Sequence, residues 1–330
     1  MLLSRAMHNG KQTQVEACPI CGSTGENLPI ERGKDYVIYR CSCCQGDFAQ
    51  TALSLDYRQE YEVEGAHFQD GRKLNRLSEP EKELKEAKLL ANFRQALKFL
   101  KASSSNDRLL DVGCGIGVFP KLVEQLGLEV YALDPAIKAI EYARENFGLR
   151  NTVAGTIDDI PPDWQDFGFI TAFEVLEHLE QPREVGKKIY GLLAPGGYFM
   201  MSVPNRNRLN VKLGRRSDYD YPPNHLTRWS REVLNSFLTG IGFTNVTVKI
   251  DGVNRVALGG ILLPSGFNQK ITSRKISGLL TTDQTKKEFF LYNPLWRFAQ
   301  VAGDVIASLL EAIIGKCYGT YLIGFAQKPR

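Results

Sequence analysis

Asp111-Val-Gly113-Cys-Gly115-Ile-Gly117 sets a carboxylate and three alternating glycines directly behind the apolar pair Leu109-Leu110. A carboxylate leaving a strand can meet a cationic group, and glycines let the main chain approach a ligand with no Cβ between them. The amphipathic segment Phe119–Leu126 follows, and the start of such a helix offers unpaired N–H groups to a ligand's anionic end. The register excludes a dinucleotide grip. That fingerprint needs a glycine in the sixth place, where this chain carries Val118. Asp111, Gly113, Gly115 and Gly117 are therefore candidate binding residues for some other ligand.

A second constellation lies near the start. Cys18-Pro-Ile-Cys21 and Cys41-Ser-Cys-Cys44 are two C-x2-C pairs with nineteen residues between them. That spacing suits a structural zinc ion held by Cys18, Cys21, Cys41 and Cys44, with a register using Cys43 in place of Cys44 left open. About 35 residues bury little core, so the metal should carry the fold of this module, residues 15–50. Its three basic side chains, Arg32, Lys34 and Arg40, face five acids. That is the wrong sign for a phosphate backbone and argues against a nucleic-acid partner.

These residues must be held in place, and the surrounding pattern says how. Strands are predicted over 108–113, 129–133, 151–154, 167–173, 197–203 and 243–250. Helices are predicted over 117–126, 136–147, 183–193 and 230–240. Such alternation implies a doubly wound, mainly parallel α/β sheet with ligands beyond the carboxyl ends of its strands. Asp111, Asp134, Phe173 and the loop after Val203 all fall on that edge. Ahead of the first strand, Ser78-Glu-Pro-Glu81 has the form of a capping box, and Leu90, Phe93, Leu97 and Leu100 recur at helical spacing. Residues 51–82 read as a connector.

Asp-x-Gly-x-Gly-x-Gly at the end of a first strand resembles motif I of the class I S-adenosylmethionine-dependent methyltransferases. Three further segments match that family in order. Val130-Tyr-Ala-Leu-Asp134 is similar to its second strand, Phe167–Phe173 with Glu174-Val-Leu-Glu-His178 to its fourth, and Leu193-Ala-Pro-Gly-Gly to the turn into its fifth. The resemblance implies a seven-stranded Rossmann-like sheet over 83–250 and 318–330, with S-adenosyl-L-methionine as cofactor. It implies that Asp111 serves the cofactor's amino-acid end, that Asp134 holds the ribose hydroxyls, and that Phe173 lies against the adenosine. Asp134 also precedes Pro135 and a helix, so a helix-capping role stands beside the first. Where many members carry an acid after the glycine of strand three, this chain has Gly155-Thr156. Asp158, or the main chain at Ile157, is the candidate for the adenine amino group. The cysteine module is similar to the small ribbon that opens many bacterial methyltransferases.

On the acceptor side, Glu174, Glu177 and His178 resemble the Glu-x-x-Glu-His signature of ubiquinone-pathway O-methyltransferases, which has been linked to a divalent ion. His225, in Tyr221-Pro-Pro-Asn-His-Leu-Thr-Arg-Trp229, lies in the loop after strand five. Histidine is the side chain best poised to take a proton near neutral pH, so His225 is the first candidate base and His178 the second. Arg206, Arg208, Lys212, Arg215 and Arg216 crowd the same loop. Charge focused at a site's mouth favours anionic ligands, which points to an anionic small-molecule acceptor. An RNA base methyltransferase using the ribbon for recognition is the alternative.

Residues 251–317 form an insertion before the last strand, far longer than a compact connection needs. Within it, 295–315 reads as an amphipathic helix with a narrow polar stripe, suited to capping the catalytic domain, to a dimer face or to a membrane surface. The whole chain of 330 residues is 43% apolar with net charge +4, ordinary for one large or two modest domains. No apolar run approaches a membrane span and no leader pattern opens the chain. Seven cysteines, mostly in a metal-type cluster, fit a reducing cytoplasm.

Overall fold

The computed structural model describes residues 17–53, 81, 84–85, 90–103, 107–214, 216–251 and 319–330. The connector, the capping box before Glu81, Arg215 and the amphipathic stretch 295–315 lie outside the described residues. The chain clusters into two compact units. One comprises Met1–Arg206, Arg216–Lys249 and Tyr321–Arg330, and the other Asn207–Arg215 with Ile250–Thr320. Among the described residues no helix is long and apolar enough to cross a membrane.

Seven strands make the main sheet: β4 (Arg108–Val112), β5 (Glu129–Asp134), β6 (Asn151–Ala154), β7 (Phe167–Phe173), β8 (Leu193–Pro204), β10 (Thr244–Asp251) and β11 (Tyr321–Gln327). Their order is β10-β11-β8-β7-β4-β5-β6. β4 through β8 pair in parallel, and β11 runs antiparallel to β8. This is the doubly wound, mainly parallel sheet expected from the alternation. Its centre reads as an apolar run because helices cover both faces: Leu109, Leu110, Phe167 and Ile170 are wholly buried. The chain leaves β4 towards β5 on one side and reaches β7 on the other. The switch in strand order therefore falls at the end of β4, where a crevice opens.

Helices α1 (Ala91–Ala102), α2 (Val118–Glu124), α3 (Ile137–Phe147), α4 (Pro182–Leu192) and α5 (Arg231–Ile241) flank the sheet. On α1 the deepest residues are Asn92, Ala96 and Leu100, while Leu90 is half exposed. The apolar stripe through Leu90 and Phe93 is thus rotated by about one position. The reason is polar: Asn92 Nδ2 donates to Ser202 Oγ at 3.2 Å inside the protein, an anchor that hydrophobic periodicity does not register.

A second, four-stranded sheet has the order β1-β2-β3-β9. Its first three strands, Asn27–Arg32, Tyr36–Cys41 and Asp47–Thr51, belong to the cysteine module. The fourth, Thr227–Arg228, comes from the loop after β8 and pairs antiparallel with Asp47 and Phe48.

Candidate functional site

The turn after β4 is tied to the end of β5. Gly113 and Cys114 both donate their N–H to Leu133 O, at 2.8 and 3.0 Å. Gly115 N–H donates to Asp134 Oδ2 at 2.8 Å, and Ala136 N–H to Asp134 Oδ1 at 2.9 Å. Asp134, only 4% exposed, therefore clamps the glycine turn as well as the entry to α3. Burial pushes its carboxyl up from the ordinary range, against the pull of those two N–H groups. Gly115 sits at φ +53, and a Cβ built there meets nothing within 4 Å. Among the described residues that space is open, with room for a ligand.

A cleft of about 200 Å³ opens beside this turn. Asp111, Gly113, Phe119, Phe173 and Glu174 line it, together with Asn92 from α1. Phe119 and Phe173 meet edge to face at 4.9 Å, and Phe93 packs on both, so one wall is aromatic. Glu174 holds a left-handed backbone at φ +55, an unusual conformation for a residue with a side chain. Its Oε1 accepts from Ser202 Oγ at 2.7 Å, which continues the chain from Asn92. Asn92 was not read from sequence as a cleft residue, since only the packing of α1 on β8 brings it there.

Asp111 is buried within β4, and its Oδ1 accepts from Thr171 Oγ1 at 2.5 Å. Desolvation raises its carboxyl from 3.8 to about 7, with the charge of Asp134 adding to the shift and the Thr171 hydroxyl opposing it. A folded-state value above the unfolded one means that the native protein binds this proton more tightly. The ligand-free fold should lose stability as pH rises from about 4 to about 7, and no more above that. A cationic group set against Asp111 favours the ionised form and expels the proton. Binding of S-adenosylmethionine should therefore weaken as pH falls below about 7, with proton release on binding. Calorimetry in buffers of different ionisation enthalpy measures that proton directly.

Asp158 follows β6 at the surface, where its carboxylate pairs with Lys188 of α4. Its N–H bonds to Thr156 Oγ1.

The turn leaving β7 divides the Glu-x-x-Glu-His sequence. Glu174 faces the cleft, whereas Glu177 and His178 join His225. Ligand-type atoms of Glu177, His178 and His225 all lie within 4.8 Å of one another, close enough to share a proton or meet one cation. The two imidazoles contact edge to face at 4.9 Å. His178 Nδ1 stands 2.8 Å from Asn224 O. A carbonyl only accepts, so Nδ1 carries the hydrogen and Nε2, 3.9 Å from Glu177 Oε1, is the acceptor nitrogen when the ring is neutral. His225 Nδ1 faces Asp220 Oδ1 at 3.5 Å. Asp220 is 5% exposed, and its other oxygen accepts from Ser217 N–H at 3.1 Å, which fixes the carboxylate beside that ring. Nothing local in the sequence marks Asp220 for this part.

Of the basic run, Arg206 is already engaged. Its Nη1 donates to Gln45 O at 2.5 Å and lies 3.1 Å from Asp47 Oδ1. It braces the cysteine module and is lost to acceptor recognition. Arg216 lies 5.8 Å from the Tyr221 ring centroid and forms no ion pair among the described residues.

The four cysteines converge. Cys18 Sγ and Cys44 Sγ are 3.8 Å apart, and Cys21 Sγ and Cys41 Sγ 3.7 Å. A disulfide requires about 2.0 Å, whereas the edge of a tetrahedron built on Zn–S bonds of about 2.3 Å is about 3.8 Å. Two matching knuckles shape the site, with Gly22 N–H bonded to Cys18 O and Gln45 N–H to Cys41 O. Burial, followed by the neighbouring thiols, pushes Cys21 up to about 12. Cys43 is exposed and outside the cluster, which selects the register through Cys44.

A carboxylate at the end of the first strand, a glycine turn clamped by the second, and an aromatic cleft at the switch point match the arrangement that the resemblance to class I S-adenosylmethionine-dependent methyltransferases implies. The chain belongs to the family described as "Methyltransferase domain", whose model matches residues 72–248. It is 31% identical to a ubiquinone biosynthesis O-methyltransferase of Bordetella avium over 39% of this chain and 56% of the relative. It is 32% identical to the mitochondrial ubiquinone biosynthesis O-methyltransferase of Schizosaccharomyces pombe, over 32% of this chain and 40% of the relative. The chain thus spans about half the length of the curated relatives it matches. Among solved structures, phosphoethanolamine N-methyltransferase 2 of Haemonchus contortus, in complex with S-adenosyl-L-methionine, superposes with a TM-score of 0.50. The two share 15% identity over 92% of this chain and 71% of that one. That likeness speaks for the fold alone.

Proposed function

We propose that this protein transfers the methyl group of S-adenosylmethionine to an oxygen of an anionic small molecule, such as a phosphate-bearing sugar or a lipid-linked precursor. The observation that carries the reading is the His178–His225 pair, of which His178 follows cleft-lining Glu174 by four residues. Each ring has one nitrogen directed at an acceptor, Asn224 O or Asp220. The cofactor, when bound, supplies an electrophilic methyl group. Asp111 would hold its cationic amino-acid end, Asp134 its ribose, Phe173 its adenosine, and the space over Gly115 would let it approach. His225 would take the acceptor's proton as the hydroxyl oxygen becomes nucleophilic, with His178 as its neighbour and second candidate. The relatives named as O-methyltransferases support oxygen as the attacking atom. Arg216, half-buried without an ion pair among the described residues, supports a negative acceptor.

Purified protein incubated with methyl-labelled cofactor and separate phenol, sugar-phosphate, lipid and RNA fractions tests this reading. Label is expected in an anionic small molecule at an alkali-stable ether. Label confined to RNA would instead establish the base-methylating alternative.

The same proposal includes one zinc ion per chain at Cys18, Cys21, Cys41 and Cys44, because the sulfur separations suit that ion. Elemental analysis is expected to return about one zinc per chain, retained in Cys43→Ser and lost in the Cys18→Ser, Cys41→Ser double variant. Zinc-free protein purified without chelator would overturn it.

A further inference from the structure

The segment from Asn224 to Trp229 carries His225 and is held from two sides. On one side it meets the turn after β7. Leu226 N–H donates to Glu177 O at 2.7 Å, Thr227 Oγ1 donates to Leu176 O at 3.1 Å, and Asn224 O receives His178. On the other side it meets the cysteine module. Ala49 N–H donates to Leu226 O at 2.7 Å, and Phe48 and Asp47 pair with Thr227 and Arg228. Three ion pairs lie at this second contact. Buried Asp47 takes Arg40 through both oxygens, at 2.7 and 3.0 Å, and Arg206 at 3.1 Å. Arg228 reaches Glu31 on β1 at 2.7 Å. Arg206 N–H in turn holds Trp229 O.

The metal knuckles lie at the root of these contacts. Gln45, whose carbonyl receives Arg206, directly follows Cys44, and Asp47 comes two residues later. A Cβ built on Gly46 would stand 2.6 Å from Ile20 of the first knuckle and 3.1 Å from Val233 of α5. Pro19 O, within the first Cys pair, accepts the N–H of Arg183 on α4 at 3.3 Å. A change in the thiolate cluster therefore has a short, bonded path to the segment bearing His225. Among the described residues the cofactor turn at Gly113–Gly117 is hydrogen-bonded instead to Leu133 and Asp134.

We propose that the four-cysteine site with its metal is a positioning device for the acceptor side: acting through Asp47, Arg206 and β3, it sets where His225 stands. Asp47 and Arg206 are then positioning residues, and the ribbon is part of the enzyme's catalytic half. This inference rests on the reading of His225 as the base and of the cysteines as a zinc site.

The test uses the full-length zinc-loaded protein, its chelator-treated form, and the variants Arg206→Ala and Arg206→Lys. Three readouts require neither acceptor nor turnover. They are imidazole nitrogen signals of His225 and His178 by NMR, amide exchange at Leu226–Trp229, and S-adenosylmethionine affinity by calorimetry. Chelation and Arg206→Ala are both expected to shift the His225 signals and to speed exchange at Leu226–Trp229 about tenfold or more, leaving cofactor affinity within about twofold. Arg206→Lys, which keeps a charge for Asp47, should restore part of the protection. Unchanged histidine signals and exchange after metal removal would overturn the proposal, as would an equal loss of cofactor affinity. A protein that shows the shifts but methylates no candidate acceptor would refute the proposed reaction and leave this coupling standing.

Discussion

Replacing Gly115 by valine is expected to lower S-adenosylmethionine affinity at least ~100-fold, equivalent to ~3 kcal/mol, in a protein that remains folded. The two halves of that result have separate causes. A Cβ at 115 meets no atom of the described residues within 4 Å, so their packing is undisturbed. The positive φ costs a valine about 1–2 kcal/mol, which a domain of this size tolerates. The branched side chain then fills the space through which the cofactor must approach the turn. Gly113 provides the contrast, since a Cβ there would stand 2.5 Å from Val175 Cγ2. Gly113→Ala should lower the melting temperature as well as the affinity. Calorimetric titration with a parallel thermal melt separates the two. Unchanged affinity in folded Gly115→Val protein would remove the turn from the cofactor site.

His225→Gln is expected to lower kcat by ~10²–10⁴, the range for losing a general base, with S-adenosylmethionine affinity unchanged. The cofactor contacts proposed above come from the β4, β5 and β7 ends, none of them from this segment. Asp220→Asn should fall between the variant and the parent protein. An amide can donate where the carboxylate only accepts, so it disturbs the tautomer while keeping the ring in place. His178→Gln should cost less than His225→Gln, because His178 Nδ1 is already committed to Asn224 O. Single-turnover rates for the four proteins, with acceptor KM measured alongside, check the order. If His225→Gln turns over at the parental rate, alignment of the acceptor behind the methyl group suffices and no side-chain base is needed.

The sheet edge proposed for the cofactor was legible in the linear chain, and Asp111, Gly113 and Phe173 line one cleft there. Asp111 and its glycines, Asp134 and Phe173 are set by strand-end chemistry that repeats every few residues, and the alternation around them dictates a parallel sheet with its crevice at β4. The four cysteines were equally legible, because metal-ligand spacing is a local constraint. Even so, tertiary structure altered roles at that edge. Asp134 braces the glycine turn through Gly115 N–H, and Asn92 turns α1 because Ser202 lies beneath it; both depend on partners remote in sequence.

The acceptor half was decided in three dimensions. The letters Glu174, Glu177 and His178 form one short run, but the left-handed backbone at Glu174 sends it to the cleft while Glu177 and His178 turn towards His225. Arg206 looked like part of a basic mouth and instead answers buried Asp47, about 160 residues away in the chain, because an unpaired carboxylate cannot stay inside. Residues Thr227–Arg228 carry no strand signal of their own length. They become a strand because the edge of the cysteine module offers unpaired N–H and C=O groups that a neighbouring segment can satisfy. Composition and spacing determined which groups this protein owns and the sheet that presents the cofactor. Which groups face one another across the acceptor side was determined by burial and by the need to pair every buried polar atom, conditions that exist only once the chain has folded.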